Sequence, residues 1–178
     1  MKVIRFYRNS ILHREDGPAV VWENGEKEWW VNGENTYQYK IADNRSLTRY
    51  IWLDHGYIHR SNGPAIIYEN GTKEWVIRGK YHRDDGPAII HANGQNSWCV
   101  NGRYHRDDGP AKTWPDGRKD WYLNGKCHRE DGPAIEWASG ATEWWTNGKR
   151  HREDGPAVIL NDGTEEWWVN GERRRDLE

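Results

Sequence analysis

The residues with the most chemical potential recur as one string. His-Arg-acid-Asp-Gly-Pro-Ala begins at His13, His82, His105, His128 and His151, with the variant His-Arg-Ser-Asn-Gly-Pro-Ala at His59. An imidazole beside paired carboxylates and a guanidinium suits general acid–base catalysis or metal ligation. A catalytic centre, however, needs residues that occur once, and this set returns copy after copy. Recurrence implies a ladder in which Arg and Asp charges tie neighbouring turns together. Asp-Gly-Pro-Ala is itself turn chemistry: Asp bonds local backbone, Gly supplies unusual φ and Pro fixes entry to the next strand. There is no Ser–His–Asp order, no unique carboxylate pair and no phosphate-cradling loop. The reading is therefore non-enzymatic, with no catalytic, cofactor-binding or metal-ligating residue assigned.

The string sets the period. The last five copies are 23 residues apart, and the first two of the six are separated by 46, twice that spacing. A worn copy fills the gap over residues 36–58: Trp52 and Gly56 stand where Trp29 and Gly33 stand in the first copy, although the His and Gly-Pro-Ala are gone. Units thus start near 13, 36, 59, 82, 105, 128 and 151. Residues 1–12 supply a half-unit, because FYRNSIL matches WYLNGKC (121–127), and residues 174–178 a partial cap. One repeat array covers the chain.

Within a unit, β-branched and aromatic runs are punctuated by Asn-Gly, the strongest short-range hairpin signal. A two-residue turn at Asn24-Gly25 would pair Val20 with Trp29 and Val21 with Glu28. That register puts Val20, Trp22, Trp29 and Val31 on a packed face, with Trp29, Trp52, Trp75, Trp98, Trp121, Trp144 and Trp167 as its continuous column. The column of Trp30, Val76, Cys99, Tyr122, Trp145 and Trp168 then lies on the less buried face. A second two-residue turn would pair Trp121 with His128. The expected fold is all-β: an elongated single-layer antiparallel sheet of tandem hairpins.

Composition narrows the function classes. Thirteen Trp and nineteen Gly beside one Met and one Phe depart from ordinary core usage, and 26 basic against 28 acidic residues nearly cancel. That balance argues against nucleic acid and anionic lipid as partners. No segment approaches the roughly 18 apolar residues of a membrane span, and the N-terminus has no signal-length apolar stretch. A cytoplasmic protein is expected, with Cys99 and Cys127 as reduced thiols.

The period of 23, WTNGKRH (145–151) and LNDGTEEW (160–167) together resemble MORN repeats, more closely the variant MORN family of bacterial and viral proteins. The inserted Asp-Gly-Pro-Ala departs from that pattern. The resemblance implies a scaffold of successive hairpins, with protein-interaction and lipid-binding roles in different members and some members acting as antitoxins; the near-neutral charge makes lipid the poorer reading here. A macromolecular, protein partner is the leading expectation, in a setting such as an antitoxin or a viral or phage inhibitor of a host or defence protein. The alternatives are a nucleotide or glycan binder using stacked aromatics, and self-assembly through exposed edge strands. Candidate partner-binding residues are Trp30, Tyr122, Trp145 and Trp168, where large apolar area on a varied column marks interaction. Tyr37, Tyr39, Arg45 and Arg49 join them because they break the repeat in the worn unit. Lys112 and His91 also depart from their columns.

Overall fold

The computed structural model of the chain describes residues 3–14, 17–31, 33–38 and 49–174. They form strands and turns, with no helix among the described residues. The chain divides into two compact units, Met1–Tyr81 and His82–Glu178.

In His82–Glu178 a main antiparallel sheet runs in chain order through Ile89–Ile90, Asn96–Ser97, Lys112–Thr113, Lys119–Asp120, Ile135–Glu136, Thr142–Glu143, Val158–Ile159 and Glu165–Glu166. Each repeat gives it two strands. After the second, a Trp interrupts the ladder, and the chain turns into a small separate hairpin. These hairpins pair Cys99–Val100 with Arg103–Tyr104, Tyr122–Leu123 with Lys126–Cys127, Trp145–Thr146 with Lys149–Arg150, and Trp168–Val169 with Glu172–Arg173.

Met1–Tyr81 follows the same plan through Val3–Arg5, Val20–Trp22, Lys27–Val31, Glu34–Gln38, Arg49–Asp54, Ile66–Tyr68 and Lys73–Glu74. Its N-terminal half-unit closes a hairpin at Asn9-Ser10, and the worn copy keeps its second turn at His55-Gly56. At the far end, the Arg174 amide donates to the Trp167 carbonyl, as His128 does to Trp121. Arg174 thus stands in the histidine's place.

The two turns of a repeat differ. At the second, both central residues have positive φ, as at Asn147 (52°) and Gly148 (83°). This is the type I′ geometry expected, and Tyr122 opposes Cys127, so Trp121 opposes His128. At the first turn only the glycine is left-handed, as at Gly25 (87°). The Gly25 amide donates to Trp22, and the Trp22 amide donates to Glu26. The loop is therefore three residues with a bulge at glycine, and Val20 opposes Glu28 while Val21 opposes Lys27. The expected pairing of Val20 with Trp29 is corrected by one residue, and a slip of one exchanges the two faces of a strand.

The cause is local. Asn24 Oδ1 accepts the Glu26 amide at 3.0 Å, and Asn70, Asn93, Asp116 and Asp162 make the same bond at 2.9–3.0 Å. An Asx turn holds its first residue away from the left-handed region, which leaves the bulge to glycine.

The corrected register defines the interior. Val20, Ile66, Ile89, Ile135 and Val158 are buried, and opposite them lie Glu28, Glu74, Ser97, Glu143 and Glu166. Asp120, opposite Lys112, belongs to the same column. The column of Val76 and Cys99, expected on the less buried face, is internal: these two are 4% and 2% exposed. The alanines of Gly-Pro-Ala, Ala19, Ala65, Ala88, Ala111, Ala134 and Ala157, are at 0% exposure. The Trp121 amide donates to the Ala134 carbonyl at 2.8 Å, as Phe6 does to Ala19, and any larger side chain there would force the strands apart.

Candidate functional site

The recurring polar string is consumed by the fold. The guanidinium of Arg129 lies 4.1 Å from the ring centre of Trp121, Arg106 lies 4.3 Å from Trp98, Arg152 4.2 Å from Trp144 and Arg60 4.2 Å from Trp52. In the half-unit, Arg14 covers Phe6 at 4.1 Å, so Phe6 takes the tryptophan's role. Nε of Arg129 donates to Asp131 at 2.9 Å and Nη1 to the Pro133 carbonyl at 3.2 Å. The string's glycine closes the other side: a Cβ on Gly132 would stand 3.1 Å from the Arg129 Cζ. Each of these Arg side chains is thus clamped between an aromatic ring and a glycine.

The expected Arg–Asp ladder between neighbouring turns is corrected, since the pair closes within one turn, two residues apart. Hydrogen bonds from Arg83, Arg106, Arg129 and Arg152 hold the carboxyls of Asp85, Asp108, Asp131 and Asp154 below their ordinary range. The variant unit has Ser61 and Asn62 instead, and burial lowers the pKa of Arg60.

Histidine links each small hairpin to the next, beside the ladder of the main sheet. Nδ1 of His128 accepts the Asn147 amide at 3.2 Å, nineteen residues on, in the next type I′ turn. His59, His82, His105 and His151 accept from Arg78, Asn101, Asn124 and Asn170 in the same way. An acceptor Nδ1 places the ring proton on Nε2, which faces an acid, as in His82–Asp84 at 3.2 Å. A ring so engaged has no lone pair for a metal, and no metal-type cluster is found among the described residues.

The sequence reading did not identify the acid column. Glu28 accepts both Trp22 and Trp30 indole N–H groups at 2.8 Å. Glu143, at 7% exposure, accepts Trp137 and Trp145 at 3.0 Å and Arg150 through Nε at 3.1 Å and Nη2 at 3.0 Å. Asp120 receives Arg118 bidentately at 2.9 and 3.1 Å. The signal was present: an acid at positions 28, 74, 120, 143 and 166, on the repeat's own period, with an aromatic two residues later in four of the five cases. Alternation in the wrong register assigned it to solvent.

Of the candidate residues, the structure brings Trp145 and Trp168 together. With Gly148, Lys149, Arg150, Asn170 and Gly171 they line an open groove of about 460 Å³ between the last two small hairpins. The Arg150 guanidinium sits 5.4 Å from the Trp145 ring and 5.3 Å from the Trp168 ring, while Glu143 and Glu166 hold the indole N–H groups. Tyr122 lies one repeat earlier, half-buried beside Cys127 and Ile135. Trp30 is half-buried on Glu28 in Met1–Tyr81. Tyr37 and Arg49 lie on strands, with Tyr37 opposite Leu53 and Arg49 opposite Tyr68. Tyr39 and Arg45 lie outside the described residues. The Lys112 ammonium rests 4.7 Å from Tyr104 and 4.9 Å from Trp114, so an aromatic pair takes the place of the expected aliphatic packing.

The thiols are inert for a stated reason. Burial pushes Cys99 up to about 11 and Cys127 up to about 12. At pH 8 a thiol with pKa 11 is about one part in a thousand thiolate. Neither cysteine should react with Ellman's reagent at pH 8 until denaturant is added; prompt release of one equivalent from the folded chain would contradict this burial.

Searches against protein-family models and characterised proteins find no match to the chain.

Proposed function

We propose that the chain is a non-catalytic protein-binding array whose partner seats at the groove between Trp145 and Trp168. The groove itself carries this reading. It gathers the half-buried Trp145 and Trp168 with Arg150, residue types that dominate interface energetics, fixed in place by Glu143 and Glu166. The likeness to variant MORN repeats supports the same conclusion and suggests toxin neutralisation or inhibition of a host defence protein as the setting. Two free thiols suit a reducing, cytoplasmic compartment.

Lys149→Glu and Trp168→Ala test it. Lys149 is exposed, so its charge reversal should leave the circular dichroism spectrum unchanged. The wild-type chain should retain a protein partner from its native host, and both variants should lose that same partner. A groove of this volume also falls in the range of small-ligand pockets. Saturable quenching of Trp fluorescence by a nucleotide or a glycan would therefore replace the protein-binding reading.

A further inference from the structure

One strip along His82–Glu178 takes no part in the internal contacts described above. It comprises the residue after each type I′ glycine, namely Arg103, Lys126 and Lys149, with the cross-strand neighbours Val100, Leu123 and Thr146. Side chains alternate along a strand, so Leu123 and Lys126 face away from the internal Tyr122 and Cys127. All three cations are exposed and make no ion pair among the described residues.

They are nonetheless held in line, because each stem lies on the glycine of the next turn. A Cβ on Gly125 would stand 3.5 Å from Arg103 Cβ, one on Gly148 3.8 Å from Lys126 Cβ and one on Gly171 3.6 Å from Lys149 Cβ. A repeat advances by two strands of about 4.8 Å, so the charges recur about every 9.6 Å. The hairpin segments 100–103, 123–126 and 146–149 hold no acid, the flanking Asp107 and Glu130 being turned to His105 and His128, and Glu172 takes the cation's position in the next hairpin.

The spacing discriminates between partner conformations. An extended strand repeats its facing side chains about every 6.7 Å, then about every 13 Å, and so misses the cations. An α-helix brings residues i and i+7 to the same face about 10.5 Å apart. Three acids at that interval span about 21 Å against about 19 Å for the cations, a difference that long side chains absorb. The half-buried Val100 and Leu123 alongside offer a seat for an adjoining apolar stripe.

We infer that Arg103, Lys126 and Lys149 receive an amphipathic α-helix of the partner with acidic residues at seven-residue intervals. This rests on the protein-binding reading above and extends it from the groove along the hairpin tips.

Blocked synthetic helices of about three heptads provide the probe. One carries Glu at every seventh position, a second has the same composition with unevenly spaced Glu, and a third has Lys in place of Glu. Anisotropy titrations against the full chain should show binding of the first alone, weakening with added salt, and an about tenfold loss with Lys126→Glu. Equal binding of the uneven peptide, no binding of the regular one, or indifference to Lys126→Glu would each overturn the inference. The native partner separates the two claims. If Trp168→Ala abolishes its capture while Lys126→Glu leaves it intact, the helix inference fails and the groove reading stands. If neither substitution matters, both fail.

Discussion

Replacing Glu143 with alanine should remove about 3–5 kcal/mol of folding free energy, the largest loss expected from any single side chain in His82–Glu178. The carboxylate is 7% exposed and receives two indole N–H groups together with Nε and Nη2 of Arg150. Truncation leaves the indole donors without an acceptor inside the array and the half-buried Arg150 without its charge partner. Glu143→Gln keeps an oxygen for the indoles but loses the charge opposite Arg150, so about half of that loss is expected. Urea unfolding read by circular dichroism distinguishes these outcomes. A midpoint for Glu143→Ala close to wild type would mean that the acid column carries no structural load. Because stability in repeat arrays is built from unit and neighbour terms, the denaturation slope must be compared too, to detect loss of one unit rather than all.

The second large effect lies in the clamp. Trp121→Ala should cost about 3 kcal/mol, since a half-buried indole is lost and the Arg129 guanidinium is left with one bare face. Arg129→Ala should cost about 2 kcal/mol through lost stacking and lost hydrogen bonds to Asp131 and Pro133. The double variant should cost about 1 kcal/mol less than the sum, because each single change already breaks the shared contact. Strict additivity would show that the 4.1 Å approach of Arg129 to Trp121 contributes nothing of its own.

Much of this architecture is written directly in the residues. The period, the worn copy with its Trp52 and Gly56, the half-unit at Phe6 and the Trp121–His128 pairing follow from spacing and from asparagine's tolerance of positive φ. The first turn was not legible from Asn24-Gly25 alone, because the same dipeptide serves two turn types. The distinction lies in column chemistry. First turns accept Asn70, Asp116 or Asp162, residues that cap the backbone two positions on, whereas second turns hold a left-handed Asn101, Asn124, Asn147 or Asn170. That one residue of register decided which column faced inward. It turned Glu143 from a solvent residue into a core acceptor and Cys99 from a surface residue into a buried one. The groove was half legible: the column of Trp145 and Trp168 was recognised, but the placement of Arg150 between them depends on the cross-strand pairing of Trp145 with Arg150.

The histidine bond has a mechanical consequence. Each ring reaches forward to the type I′ turn of the following small hairpin, so every hairpin tip is pinned by the histidine that precedes it as well as by the sheet ladder. Tension drawn on the carboxyl end of His82–Glu178 should open the terminal unit first, breaking the His151–Asn170 bond together with the ladder of Val158–Ile159 to Thr142–Glu143. Each release frees 23 residues, about 80 Å of contour length. Under load such an array should lengthen in equal steps, like a strap released notch by notch, while the repeats not yet reached keep their fold.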